Sequence, residues 1–473
     1  MTEGQDLPDL ARHCAALAAS HAGLSGVRLL EDGPESLALR IHLVRQARTG
    51  LDLQYYIWRD DAAGLFLLDE LEAAAARGVR VRLLLDDFGT VGLDGLLAAL
   101  SRRSAIEVRL FNPHRPRRLR WLNWLTEFNR LNRRMHNKLF LADGAAAILG
   151  GRNIGDEYFH PGHQQLQADL DVFAVGPVAA AVAADFERYW TSPAACPVEA
   201  VVPRPPRVRP HPVSGLRASY ETALSRSHVA TVFDAPDDFD WAAVDLLSDD
   251  PGKALATRSG PGLMGLQLLQ AMGVPCRSLT LVSAYFVPLQ QGVDALTGLS
   301  AAGVKVEVIT NSLRTNNVLP THAGYAPSRR ALLAAGVQLW EMRLPGPVQP
   351  PLRPRRRWWQ GGRLLQSSAS VLHVKALVAD DRLLFIGSMN FDPRSWWLNT
   401  EVGLLIRHQD LATRVRHSLS AQIAASGWRL ALDEGRLRWE GAGGAVHHAD
   451  PEAGTWRCLV SALLSILPLK WLL

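Results

Sequence analysis

Residues 135–159 read MHNKLFLADGAAAILGGRNIGDEYF, and residues 372–395 read LHVKALVADDRLLFIGSMNFDPRS. The second stretch repeats the first. His136, Lys138, Asp143 and Asn153 recur as His373, Lys375, Asp380 and Asn390, each pair 237 positions apart. One offset that carries four polar residue types marks a duplicated lobe. Short apolar runs follow each Lys, at 139–141 and 145–149 in the first copy and at 376–378 and 383–386 in the second. Bounded by Asp and Gly, they suit strands covered on both faces. Residues two apart on a strand share a face, so each His and Lys is expected to point the same way, an acid-base beside a cation.

Composition sharpens this reading. Lys138, Lys253, Lys305, Lys375 and Lys470 are the only lysines among 51 Lys and Arg. Two of the five therefore occupy equivalent motif positions in a chain that otherwise uses Arg. Lys is a compact point charge where Arg is a wide planar fork, so a narrow pocket for a phosphoryl oxygen would select it.

The repeat extends beyond the motifs. Residues 51–58 read as a strand, 65–77 as a helix stopped by Gly78, and 79–86 as a second strand. The same rhythm returns as 279–287, 293–302, Gly303 and 304–310. At 473 residues and 48% hydrophobic content, two domains are expected. We place an N-terminal lobe at 1–195, a Pro/Arg-rich linker and connection at 196–235, and a C-terminal lobe at 236–473. Seven prolines between 193 and 212 mark the linker.

A net charge of +5 identifies no partner by itself. The basic residues gather with tryptophan at 115–134 (RPRRLRWLNWLTEFNRLNRR) and 353–359 (RPRRRWW), one cluster ahead of each motif. Cys14, Cys196, Cys276 and Cys458 are far apart and show no metal-ligand or CxxC spacing, which fits reduced thiols in the cytosol. The N-terminus has no signal-peptide pattern, and no run offers the roughly 18 apolar residues of a membrane span. Any membrane contact is expected to be peripheral. Residues 233–250 are locally acidic and read as a solvated connection. The C-terminal LVSALLSILPLKWLL (459–473) is too short to span, and either packs on the second lobe or lies in a lipid interface.

The doubled HxK(x)4D pattern with its downstream Asn resembles the phospholipase D superfamily. That resemblance implies an α/β fold of two similar lobes, each a mixed β-sheet flanked by helices, packed as a pseudo-twofold dimer with one active site. It implies that one His attacks phosphorus while the other protonates the leaving group, with His136 as the nucleophile. Lys138, Lys375, Asn153 and Asn390 would surround the phosphoryl oxygens, and Asp143 and Asp380 would orient the imidazoles or neighbouring strands. An acidic residue on the strand after each motif supports it in the family. Asp169, on an edge-type strand at 168–177, and Glu401, within NTEVGLLI, match that place, each beside its own copy. His322 and Tyr325 are further candidates to face substrate. No metal and no cofactor are implied, since four such donors would stabilise the transition-state charge.

Within the superfamily the chain looks like bacterial cardiolipin synthases of the branch without N-terminal transmembrane helices. The residues that carry this are 55–58 (YYIW), 77–87 (RGVRVRLLLDD), 150–159 (GGRNIGDEYF), 283–288 (SAYFVP) and 387–401 (GSMNFDPRSWWLNTE). The resemblance implies transfer of a phosphatidyl group from phosphatidylglycerol or phosphatidylethanolamine to phosphatidylglycerol through a phosphohistidine. It places the protein peripherally on the cytoplasmic face of the bacterial inner membrane, with no nucleic-acid partner. A hydrolase, phosphodiesterase or nuclease of the same superfamily is the alternative, and a non-catalytic membrane-binding module a more distant one.

Overall fold

The computed structural model describes residues 10–115, 117, 123, 125–159, 168–203, 220–222, 229, 232–233, 236–257, 263–344 and 372–466. They divide into two units. The first takes the residues within Met1–Leu166, Leu170–Gly262 and Thr400–Ile406, and the second those within Gln167–Asp169, Leu263–Asn399 and Arg407–Leu473. A short piece of each half of the sequence thus completes the unit built by the other half.

The strands of the first unit are β1 (Ser25–Leu30), β2 (Gly50–Tyr55), β3 (Arg80–Asp86), β4 (Ile106–Phe111), β5 (Leu139–Ala142), β6 (Ala146–Gly150), β7 (Asp171–Val175), β8 (Ala195–Pro197) and β9 (Asp240–Ser248). Their pairings give the order β9-β1-β7-β6-β5-β2-β3-β4-β8, parallel at β2-β3-β4 and antiparallel elsewhere. In the second unit β10 (Ser278–Ser283), β11 (Lys305–Asn311), β12 (Gln338–Met342), β13 (Lys375–Ala379) and β14 (Leu383–Gly387) are followed by β15 (Val402–Arg407), which pairs with β9 and lies in the first unit up to Ile406. Next come β16 (Gly427–Asp433), β17 (Arg436–Gly441) and β18 (Val446–His447). The order β14-β13-β10-β11-β12-β16 repeats β6-β5-β2-β3-β4-β8 strand for strand. The duplication is therefore one of topology as well as of motif.

The local causes are those of the sequence. Strands β2, β5 and β6 are buried along their whole length; β5 and β6 are the unbroken apolar runs that suit a strand covered on both faces, whereas β2 buries Asp52 and Gln54 as well. Helix Ala62–Ala76 starts at Asp61, whose side chain accepts from Gly64 N. Gly78, at φ +91°, and Gly303, at φ +86°, reverse the chain into β3 and β11, a conformation open to glycine.

Three expectations change. Strand β7 is internal, paired with both β1 and β6. Its Asp171 is buried against Arg40 and Ser36 Oγ, both at 2.9 Å. Part of the expected linker, β8 and helix Val198–Val201, belongs to the first unit's sheet and core; other parts of it lie outside the described residues. The acidic stretch after it forms β9 against β1, so the second unit begins at Leu263 rather than at 236.

Candidate functional site

In the first unit, the segment leading into β15 is fastened alongside the motif. His136 N donates to Thr400 O (2.9 Å), Thr400 N donates to Arg134 O (2.9 Å), and Thr400 Oγ1 donates to Asn137 Oδ1 (2.7 Å). These bonds bring the fully buried Glu401 to His136, Oε2 to Nδ1 at 2.8 Å. A carboxylate on Nδ1 holds the ring proton there and leaves Nε2 as the reactive nitrogen. The Tyr56 ring lies 5.0 Å from the His136 ring, and Lys138 Nζ is 5.5 Å from the Tyr56 ring. Lys138 Nζ also donates to His136 O at 2.5 Å, which pins the ammonium at the backbone of the same histidine.

Glu401 is itself held. Its N–H donates to Asp249 Oδ2 (2.9 Å), Asp249 N donates back to Glu401 O (3.0 Å), and Lys253 Nζ bonds Asp249 Oδ2 at 2.8 Å. Asp249 and Lys253 are both buried, so the pair forms a low-dielectric clamp behind the first imidazole. The sequence reading missed it, although Lys253 is one of five lysines in the chain, and that rarity was the signal available.

The second unit builds the same arrangement from short pieces. His373 N donates to Ala168 O (2.7 Å), His373 Nδ1 meets Asp169 Oδ2 at 2.5 Å, and Lys375 Nζ donates to His373 O. The supporting carboxylates are therefore exchanged relative to expectation. Glu401, which follows the second motif, serves His136, and Asp169, which follows the first, serves His373. Sequence proximity misled because the residue ahead of each acid, Ala168 or Thr400, is bonded to the other copy's motif.

Asp143 and Asp380 do not touch the imidazoles. Asp143, at the far end of β5 from Lys138, accepts from Thr49 N (2.8 Å), Gly50 N (2.9 Å) and Arg48 N (3.0 Å). Asp380 accepts from Arg277 N (2.8 Å), Ser278 N (3.1 Å) and Cys276 N (3.1 Å). Both sit at positive φ, 50° and 55°, where Asp is tolerated better than most residues. Burial works to raise the Asp380 pKa, but the three amides together bring it below the usual carboxylate range. Of the two roles expected for these residues, the orientation of neighbouring strands is the one seen.

Asn153 is committed to the fold on both ends of its amide, since Oδ1 accepts from Ile57 N (3.1 Å) and Nδ2 donates to Tyr158 OH (2.9 Å). Asn390 is buried, and its Oδ1 has no hydrogen-bond partner among the described residues. The residue before each His is also held differently. Met135 N donates to Asp86 Oδ2 (2.9 Å), whereas Leu372 N donates to Asn311 Oδ1 (3.2 Å) and Leu372 O accepts from Asn311 Nδ2 (2.8 Å). Burial raises the Asp86 carboxyl to a pKa of about 6 against the lowering effect of Arg134.

His322 and Tyr325 lie on the helix Leu319–Tyr325 of the second unit. Both are buried, and Arg329 Nη2 lies 2.9 Å from His322 Nε2. Because Arg only donates, that nitrogen is an acceptor and the ring is neutral. Burial and then Arg329 lower its pKa accordingly. Of the basic clusters, residues 353–359 lie outside the described residues. In the other cluster, Arg117 pairs with Asp87 and Asp94, Arg130 with Glu127, and Arg134 with Asp86. Among the described residues no group of three or more His, Cys, Asp or Glu is placed to hold a metal ion.

The family model described as "Cardiolipin synthase, PLD-like domain" matches residues 41–190 and 268–422. Cardiolipin synthase C of Escherichia coli (strain K12) is 39% identical over 99% of this chain and 100% of its own length. Cardiolipin synthase A of Pseudomonas putida is 26% identical over 83% of this chain and 67% of its own. Among solved structures, phosphatidylserine synthase of Haemophilus influenzae Rd KW20 superposes with a TM-score of 0.62 at 16% identity, covering 98% of this chain and 100% of that one. At that identity it shows a common fold. With both repeats inside the matched segments and a relative alike from end to end, the chain belongs to the cardiolipin synthase family of phospholipase D-like proteins.

Proposed function

We propose that the protein is a phosphatidyltransferase that makes cardiolipin, moving a phosphatidyl group from one phospholipid onto the glycerol headgroup of phosphatidylglycerol. The observation that carries this reading is the matched pair of imidazoles, each with Nδ1 on a buried carboxylate and a lysine ammonium fixed at its backbone. Two such groups suit a two-step displacement. In the first step Nε2 of His136 attacks phosphorus, the P–O bond to the headgroup breaks, and Nε2–H of His373 protonates the leaving alkoxide. In the second the acceptor hydroxyl gives its proton to His373, its oxygen attacks phosphorus, and the P–N bond breaks. Glu401 and Asp169 would stabilise the imidazolium where it forms. Lys138 and Lys375, together with the Asn390 amide, would meet charge that builds on the phosphoryl oxygens.

One phosphodiester replaces another, so synthesis depends on excluding water from the phosphohistidine and on concentrating acceptor in a lipid surface. The same reading makes the protein peripheral on the cytoplasmic face of the bacterial inner membrane, and the four cysteines, all free thiols, fit that compartment. The donor is phosphatidylglycerol, releasing glycerol, or phosphatidylethanolamine, releasing ethanolamine.

The test is mass spectrometry of purified protein with each headgroup-labelled donor in vesicles that contain phosphatidylglycerol. Cardiolipin with release of the matching alcohol is expected. Phosphatidic acid in its place would make the protein a hydrolase, and no lipid product from either donor would end the reading.

A further inference from the structure

The last described helix, Thr455–Ile466, carries more large apolar side chains to solvent than a protein surface usually does. An ordinary surface helix turns its apolar stripe inward and its polar face to water. Here the one buried residue is Ser461, with Cys458, Val460 and Leu464 half-buried around it, and Arg457 donates through Nε to Leu313 O at 2.8 Å. The stripe at spacings of three, four and three residues is outward and apolar. Trp456 is 77% exposed, Leu459 60%, Leu463 65% and Ile466 80%. These residues share one face of the helix, and four large side chains aligned in solvent make a patch of the kind that marks a docking surface.

We propose that this outward stripe is the membrane-docking element of the protein and lies in the interface of an anionic phospholipid surface, an inference that rests on the lipid-transferase reading above. Three features select a lipid occupant. From Thr455 to Leu473 the sequence holds Arg457 and Lys470 and neither Asp nor Glu, so nothing in it opposes a negative headgroup layer. Trp456 and Trp471 stand near the two ends of this stretch, and Trp prefers the boundary between acyl chain and headgroup. The stripe also presents no hydrogen-bonding side chain apart from the Trp indole, whereas a protein interface is rimmed by polar contacts that fix its orientation. Twelve helical residues cannot span a bilayer, and no described helix is long and apolar enough to cross a membrane. An in-plane helix, apolar face down, is the remaining geometry.

The experiment compares the full-length protein with Leu459→Gln/Leu463→Gln by co-sedimentation with vesicles of phosphatidylethanolamine and phosphatidylglycerol, alongside activity on lipid dispersed in detergent micelles. Both leucines point to solvent, so the melting temperature should not move. Vesicle partitioning is expected to fall by about a hundredfold, roughly tenfold per leucine removed from the interface, while micellar activity is kept. Unchanged partitioning of the variant would overturn the proposal. So would a fall in oligomeric mass on substitution, measured by light scattering, since the stripe would then be covered by a second copy. Partitioning needs no turnover, so the two readings can fail separately. Glutamine-sensitive binding without any lipid product would leave the docking surface and remove the transferase, and transfer with glutamine-insensitive binding would do the reverse.

Discussion

His136 and His373 are held alike at the ring, each by a buried carboxylate on Nδ1, yet the groups behind them differ. The carboxylate at His136 is Glu401, locked by backbone bonds to Asp249 and through it to Lys253. The residue before His136 rests on an ionisable Asp86, where its counterpart rests on the amide of Asn311. Asn153 is tied into the fold, whereas Asn390 keeps a buried oxygen with no hydrogen-bond partner among the described residues. Duplication made the two copies equivalent in topology, and their supports have since diverged. The parts kept alike are the ones that touch the histidine itself, the carboxylate on Nδ1 and the lysine on its carbonyl.

The sharpest way to break the comparison is to remove the imidazoles. His136→Ala and His373→Ala should each lower cardiolipin formation by roughly 10³-fold or more, and the double variant should be no worse than either, because groups that act as a unit are non-additive. Half the activity in each single variant would mean two independent sites.

Next in size are the carboxylates. Glu401→Gln and Asp169→Asn should lower kcat by roughly 10²- to 10⁴-fold, the range in which an imidazole loses its orienting charge. The exchanged pairing can be read from denaturant midpoints in double-mutant cycles. His136 should couple to Glu401 and His373 to Asp169, with the crossed pairs additive; coupling of His136 to Asp169 would restore the arrangement expected from sequence order.

Asp143→Ala and Asp380→Ala should act on stability, each costing about 1–3 kcal/mol for the orphaned amides. The fraction that remains folded should turn over within a few-fold of the parent. A loss comparable to that of the histidine variants would return these aspartates to the reaction itself.

The smallest effect separates Asp86 from Asn311. Burial lifts the Asp86 pKa to about 6, above the roughly 3.9 of an unfolded Asp. Folding thus favours its protonated form, and the associated stability is present below about pH 4 and lost as pH rises through 6. Asp86→Asn should remove that slope, so that relative to the parent the variant gains up to about 3 kcal/mol between pH 4 and pH 8. Urea titrations at the two pH values check it, and parallel stability curves would show that Asp86 does not titrate in this range.

The α/β class, the repeated strand order and the His and Lys pair of each motif were legible because short apolar runs bounded by Asp and Gly and one constant offset write them directly into the chain. The partners of the imidazoles were not. Nothing local in residues 168–169 or 400–401 says which motif each acid will reach, because that is decided by long-range backbone bonds such as those of Thr400 and Ala168. Burial also changed the sense of several charges. Asp171 was read as an edge-strand residue and Asp249 as part of a solvated connection, yet both are enclosed, the first by Arg40 and Ser36 and the second by Lys253 and the Glu401 amide. Sequence order placed Asp143 and Asp380 near the histidines, while an intervening strand carries them to the opposite end.

Because residues 400–406 complete the first unit and residue 169 the second, a cut between Gly262 and Leu263 would not yield two self-sufficient halves. A fragment ending there would keep His136 and leave its anion behind on the other polypeptide, and the remainder would carry off that anion while missing its own. Activity recovered from such split pieces would have to come from strand exchange in trans, a built-in complementation requirement that ties the inheritance of the two repeats together.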